Sequence, residues 1–436
     1  MKVLELNDSV RSEVLDHLRT RSAGHTQEYE KIVADIVEDV RIRGDEALFE
    51  YTEKFDHVRL DAQSVLVTEE EIREAYEKAD PSLIRVIRSA LQNIRTFHEK
   101  QKRNSWFEST PEGTLLGQKI VPLEKAGVYV PGGKAAYPST VLMNVVPAKV
   151  AGVDRIIMVT PPGKDGKVNP GTLIAAHEAG TDAIYKVGGA QAIAALAFGT
   201  QSIPRVDKIT GPGNIFVALA KRQVFGNVSI DSIAGPSEIL VLADETANAR
   251  HVAADLLSQA EHDEMASAIL VTTSSTLAQE VSKEIDAFLE NLSRRPIIEK
   301  SLQQYGYLLV AKDLEQALEM VNAVASEHLE IVTKDPFDVM TRVRNAGAIF
   351  LGGYSSEPLG DYLAGPNHVL PTGGSARFFS PLGVDDFIKK SSIIYYSRQA
   401  LEGVKDEIIS FAKAEGLTAH ANSIAVRYEG VEDPSE

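Results

Sequence analysis

The chain has 436 residues, 44% of them hydrophobic and 25% charged, the usage of an ordinary globular protein large enough for about two to four domains. It contains no cysteine, which excludes disulfides, thiolate metal sites, iron–sulfur clusters and a cysteine nucleophile, so any metal must be held by nitrogen and oxygen. The formal net charge of -17, with no block of lysine or arginine, argues against broad nucleic-acid binding and reads as acidity that keeps a protein soluble.

The first residues, MKVLELNDSVR, mix charged side chains with isolated aliphatic ones and have neither the apolar run of a signal peptide nor a basic transit pattern. No later stretch approaches the ~18 uncharged apolar residues that a membrane span needs, so a cytoplasmic protein without a membrane partner is expected. The first ~110 residues read as helical scaffold. A helix over 28–43 ends at Gly44, and another over 82–102 follows Pro81 and aligns Ile87, Leu91, Ile94 and Phe97 on one stripe. From Val121 onward short β-rich runs alternate with helical segments, the pattern of a parallel sheet covered by helices. The runs are 128–130, 155–160, 183–187, 238–243, 268–273, 307–311, 329–333 and 348–351; the helices include 140–152, 190–199, 247–262, 277–292 and 314–325. So many βα units exceed one small sheet and predict two α/β domains. From about Pro381 a small appended unit follows, with a helix over 397–416, a Gly/His segment and an apolar run at 423–426; residues 429–436 read as disordered.

Glycines cluster at strand-to-helix turns, where backbone N–H groups and a helix N-terminus can meet phosphate. No fingerprint is complete. Gly211-Pro212-Gly213-Asn214 begins like a dinucleotide loop but carries Phe216 at the third glycine position, and Gly133-Lys134 is followed by Ala135, which lacks the P-loop hydroxyl. The turns around Gly132-Gly133, Gly188-Gly189 and Gly235 sit at element ends, where they serve either a ligand or a tight turn.

Six histidines, His17, His25, His57, His98, His177 and His251, read as surface or ordinary core residues; the other four keep more informative company. Gln259 and His262 are three apart at the end of a predicted helix and project from one face, which suits either an ion or solvent. Glu327-His328 adjoins an apolar strand and offers an acid/base imidazole beside a carboxylate able to activate water, or a solvated pair at a helix end. Asp361 and His368 lie in a turn-rich loop, and Glu415 to His420 repeats the carboxylate–glycine–histidine theme. Two histidines, an aspartate and a glutamine oxygen form a plausible zinc or manganese field, and the absence of HExxH argues against a zinc protease.

Taken together, VYVPGGKAAYPSTVLMNVVPAKVAGV, VGGAQAIAALAFGT, KITGPGNIFVALAKR, AGPSEILVLAD, DLLSQAEHDE, SEHLEI, GDYLAGPNHVLPTGGSARFFSPLGVDDFIKKSS and EGLTAHANSI make the sequence resemble the histidinol dehydrogenases from about Ser105 to Arg427. The resemblance implies an α/β fold: two incomplete Rossmann-like domains with parallel sheets, plus small N- and C-terminal helical extensions. It divides the chain into an extension (1–24), a domain carrying zinc and catalytic residues (25–128 and 237–380), an NAD-binding domain (129–236) and a dimer-exchanged unit (381–436). It further implies a homodimer with shared active sites and one Zn2+ per subunit, held by Gln259, His262 and Asp361 with His420 from the other subunit. NAD would contact Tyr129, Gln191 and Asn214. L-Histidinol would meet Ser237, His368 and Glu415 beside the zinc ligands and His328. Glu327 and His328 would transfer protons during a four-electron oxidation through L-histidinaldehyde to L-histidine. One departure from the expected pattern is Glu264, which follows Asp263 where proline or another residue is expected.

Three other readings compete. A paralogue with the same apparatus could oxidise another small alcohol, such as a sulfonated diol, although Glu415 and His368 suit a cationic imidazole. A binding protein that kept the fold would have had no reason to retain the six polar residues at the predicted centre. A structural zinc site would ordinarily be closed and cysteine-rich.

Overall fold

The computed structural model describes residues 1–21, 26–132, 137–233 and 235–429. His25, Gly133, Lys134, Ala135, Ala234 and the expected disordered residues 430–436 lie outside these. The chain forms two compact units, Met1–Lys102 with Pro122–Phe387, and Arg103–Val121 with Ile388–Glu436.

The first unit contains two parallel sheets, the mixed α/β architecture expected from the alternating runs. One has five strands in the order Ala183–Tyr185, Arg155–Val159, Lys125–Tyr129, Lys208–Thr210 and Ser229–Ile230. The other has six, in the order Val3–Glu5, Gly306–Val310, Ser267–Thr272, Glu238–Ala243, His328–Val332 and Ala348–Leu351. Its central strands, EILVLA and SAILVT, are buried at every position, as parallel strands covered on both faces must be. Alternation then sends neighbours to opposite cores. Ile239 and Val241 pack with helix Ala249–Ala260 and helix Ser275–Leu289, while Leu240 and Leu242 pack with helix Leu314–Val324.

The N-terminal helical part divides between the sheets. Val3–Glu5 is an edge strand paired with Leu308, Leu309 and Val310, and helix Asp8–Thr20 buries Val14 in the core of the six-stranded sheet. Helices Thr26–Arg43, Asp45–Asp56 and Pro81–Glu99 instead bury Val33, Leu48 and Ile94 against the five-stranded sheet. An amphipathic stripe reports that a helix face is buried, not which partner buries it.

The second unit holds a three-stranded sheet in the order Ile388–Tyr396, Thr114–Pro122 and Trp106–Ser109, the last two antiparallel. Residues 103–121 thus belong with the C-terminal segment. The expected helix over 397–416 is two helices, Arg398–Glu402 and Lys405–Ala414, interrupted at Gly403 and Val404; Thr418–Ala425 forms a third. Among the described residues no helix is long and apolar enough to cross a membrane.

Candidate active site

The amino-terminal edge of the six-stranded sheet assembles most of the expected chemistry. Glu238 and His328 are the first residues of adjacent central strands, whose register pairs His328 with Ile239. Helix Ala249–Ala260 ends with Gln259 near its C-terminus, and the His262 N–H donates to the Gln259 carbonyl over 3.1 Å. Beyond the edge strand Ala348–Leu351, a short helical stretch, Glu357–Leu359 continued by Gly360–Ala364, supplies Asp361.

The Glu327–His328 pair is held by one residue. The Glu238 backbone N–H donates to Glu327 Oε2 at 3.0 Å, and the Glu238 carbonyl lies 3.1 Å from His328 Nδ1. A carbonyl only accepts, so His328 Nδ1 carries the proton and Nε2 keeps its lone pair. That Nε2 is buried and without a hydrogen-bond partner among the described residues, 4.0 Å from Asp361 Oδ1. Burial drives the His328 pKa down to about 3, which keeps the imidazole neutral, and raises the Glu327 carboxyl well above its ordinary range, with the Glu238 charge adding to the effect.

Asp361 is the hub of the remaining contacts. His368 Nδ1 lies 3.2 Å from its carbonyl and 3.7 Å from Oδ1. Burial pushes Asp361 up to about 6 and the His368 imidazole down to about 4. His262, Glu357 and Asp361 each offer a ligand atom, all within 4.8 Å of one another. Glu357, which sequence reasoning missed, is buried, accepts the Ser258 hydroxyl at 2.9 Å and is pushed up to about 7, chiefly by burial and then by the Asp361 charge. Its spacing from Asp361, i to i+4 in EPLGD, was the available signal.

This donor set fits a divalent cation. It is all nitrogen and oxygen, its carboxyls are disfavoured as anions by burial, and a positive charge among them would reverse that tendency. The fully buried Gln259 side chain has no partner for Oε1 or Nε2 among the described residues, the condition of an amide aimed at something other than protein.

Ser237 is half-buried between Pro236 and Glu238 at the same edge, its carbonyl accepting from the Ser267 N–H at 3.0 Å. Glu415 and His420 belong to the second unit, where both are exposed, at the end of helix Lys405–Ala414 and in helix Thr418–Ala425.

The three residues expected to meet NAD lie at the carboxyl ends of the five-stranded sheet. Tyr129 ends its central strand, and its hydroxyl accepts from the Gly189 N–H at 3.2 Å, beside Gln191 at the start of helix Gly189–Phe198. Gly211 approaches from the other side: a Cβ there would sit 2.0 Å from the Tyr129 carbonyl oxygen. Gln191 is buried with Oε1 unpartnered among the described residues, whereas Asn214 is exposed and its Oδ1 caps helix Ile215–Val224 by accepting from Phe216 and Val217. The Gly211 turn is fixed by buried Lys221, which donates to the Gly211 carbonyl at 2.9 Å and pairs with Asp231, itself the acceptor of the Gly211 N–H at 2.8 Å.

A family model described as histidinol dehydrogenase matches residues 19–428. The histidinol dehydrogenase of Bacillus subtilis (strain 168) is 59% identical over 416 residues, covering 95% of this chain and 97% of that protein. That of Clostridium acetobutylicum is 57% identical, covering 94% and 95%. Among solved structures, histidinol dehydrogenase from Elizabethkingia anophelis superposes with a TM-score of 0.93 at 38% identity, covering 98% of both chains.

Proposed function

Since the chain belongs to the histidinol dehydrogenase family, we propose that it oxidises L-histidinol through L-histidinaldehyde to L-histidine, passing two hydrides to two molecules of NAD. The observation that carries the chemistry is the His328 imidazole, neutral, with Nδ1–H fixed by the Glu238 carbonyl and a free buried Nε2 facing Asp361.

In the first oxidation His328 Nε2 takes the hydroxyl proton as the carbinol C–H leaves as hydride, giving aldehyde, NADH and one proton. In the second, Glu327 takes a proton from the water that adds to the aldehyde carbon. The resulting hydrate then passes its hydride to the second NAD while His328 Nε2 takes a hydroxyl proton, forming the carboxylic acid, NADH and one proton. The raised pKa of Glu327 makes its ionised form a stronger base than a surface carboxylate. Ser237 and His368 flank this pair and would position the substrate.

Gln259, His262 and Asp361, with His420 of the partner subunit completing the set, would hold one zinc ion, and Glu357 stands close enough to support it. Bound there, the ion would polarise the substrate's oxygen and fix its amino and imidazole nitrogens. Tyr129, Gln191 and Asn214 would hold NAD at the five-stranded sheet, and Glu415 would select the cationic imidazole. Residues 129–236 as the NAD-binding part, 381–436 as an exchanged unit and a cytoplasmic homodimer complete the proposal, supported by the motifs shared with the family.

The test is NADH formed per L-histidinol consumed, before and after chelation and zinc restoration. Two NADH per histidinol, lost on chelation and regained with zinc, is the expected result. No NADH from histidinol, with turnover of another alcohol, would move the assignment to a different substrate.

A further inference from the structure

The Glu238 backbone holds both proton-transfer residues, which raises the question of what holds Glu238. Its carboxylate is buried, with Oε1 paired to the guanidinium of Arg21 and accepting from the Gly373 N–H at 3.1 Å. Arg21 is equally buried and lies just past helix Asp8–Thr20, far from the site in sequence. The same Nη2 that reaches Glu238 also donates to the Pro236 carbonyl at 3.1 Å. Arg21 therefore grips the residues on either side of Ser237. A second tie secures this turn, the Gly235 N–H donating to the Thr372 hydroxyl at 2.6 Å.

We propose that Arg21 is a positioning residue for catalysis: by clamping the 236–238 turn it sets the Glu238 N–H and C=O that orient Glu327 and fix the His328 tautomer, and it holds Ser237 between its two anchors. Two facts favour this over a generic buried ion pair. The carboxylate it binds belongs to the residue whose main chain touches both members of the pair, with hydrogen bonds of 3.0 and 3.1 Å. A single Nη2 also engages two acceptors at once, tying the Glu238 carboxylate and the Pro236 carbonyl to one group whose placement the shorter contact sphere of a lysine ammonium on a differently shaped stem would shift. The N-terminal helix, remote from substrate, would thus be part of how the active site is built.

The inference rests on the proposed assignment of Glu327 and His328, so its test includes a readout independent of turnover. In protein labelled with 15N-histidine, the parent His328 should appear as the Nδ1-protonated tautomer with a slowly exchanging proton. In Arg21→Lys and in Glu238→Gln that proton should exchange faster and the tautomers mix. With L-histidinol, both variants should lose about a hundredfold in kcat, the scale of a small misplacement of catalytic groups, while KM for NAD stays within about twofold. Glu238→Gln keeps the backbone and an isosteric side chain, so it decides the matter if the lysine variant does not fold. Folded Glu238→Gln with the parent's His328 signal and kcat would overturn the proposal. A parent inactive on histidinol would sink the substrate assignment, leaving the NMR comparison to judge the clamp.

Discussion

Gln259→Met should make the metal-free protein more stable and the zinc-loaded protein relatively less so. In the structure Gln259 is fully buried and neither amide atom finds a hydrogen bond among the described residues. A buried polar atom left unpaired costs about 1–3 kcal/mol, so the two amide atoms together weaken the metal-free fold by roughly 2–6 kcal/mol. Methionine has similar length and volume and no such demand; allowing about 1.5 kcal/mol for imperfect repacking leaves a net gain of roughly 0.5–4.5 kcal/mol. For a chain of this size each kcal/mol moves the melting midpoint by about 2 °C or less, so a rise of a few degrees is expected in chelator. With zinc at a hundred times its dissociation constant the parent should gain about 2.7 kcal/mol, and the variant, lacking one ligand, much less. Thermal melts of both proteins in chelator and in zinc measure the inversion directly. A variant that melts below the parent in chelator would show that the amide is already satisfied and would remove the argument for it as a ligand.

Gly211→Ala should damage the NAD site specifically. At φ of 113° the backbone is outside the range of L side chains, and the new Cβ would sit 2.0 Å from the Tyr129 carbonyl of a central strand that cannot yield. Strain of about 1–3 kcal/mol plus a similar overpacking cost should raise KM for NAD by roughly tenfold to a hundredfold, and unchanged KM and melting midpoint would refute the loop's role. Glu327→Gln should slow aldehyde oxidation by about 10²–10⁴, the scale of a lost general base, and histidinol-to-aldehyde conversion less. Single-turnover assays on each substrate separate the steps, and equal losses would refute the division of labour between Glu327 and His328. His98 is buried, and its pKa is lowered from 6.5 by burial, so the folded protein refuses a proton that the unfolded chain accepts. Its contribution is therefore intact above pH 6.5 and lost as pH falls toward the lowered folded value, by at most about 1.4 kcal/mol per pH unit. Urea unfolding at pH 7.5 and 5.5 should show a smaller acid loss in His98→Gln than in the parent; identical losses would place the acid sensitivity elsewhere.

Local pattern carried most of the secondary structure. The runs EILVLA and AIFL are strands over the expected residues, 238–243 and 348–351, because a buried strand needs only a short apolar run between breakers. The strands Val3–Glu5, Lys208–Thr210 and Ser229–Ile230 were not legible. Two or three residues hold no period, and only a neighbour already in place makes them strands. Trp106–Ser109 lies in what reads as helical scaffold; its antiparallel neighbour Thr114–Pro122 is paired on the other side by Ile388–Tyr396, more than 260 residues onward.

The site divides along the same line. Residue type and spacing identified Gln259 with His262 and Glu327 with His328, since these pairs are neighbours in the chain and their chemistry follows from their side chains. Sequence also fixed what could not be there, a thiolate ligand or nucleophile. Only the tertiary structure could bring Glu357 beside His262, bury it until its carboxyl is pushed up to about 7, and place Arg21 against Glu238 across 217 residues of chain. Contacts at that separation depend on how two sheets and their covering helices pack, and burial, which sets every shifted pKa in this site, is a property of the packed whole that no local run of residues contains.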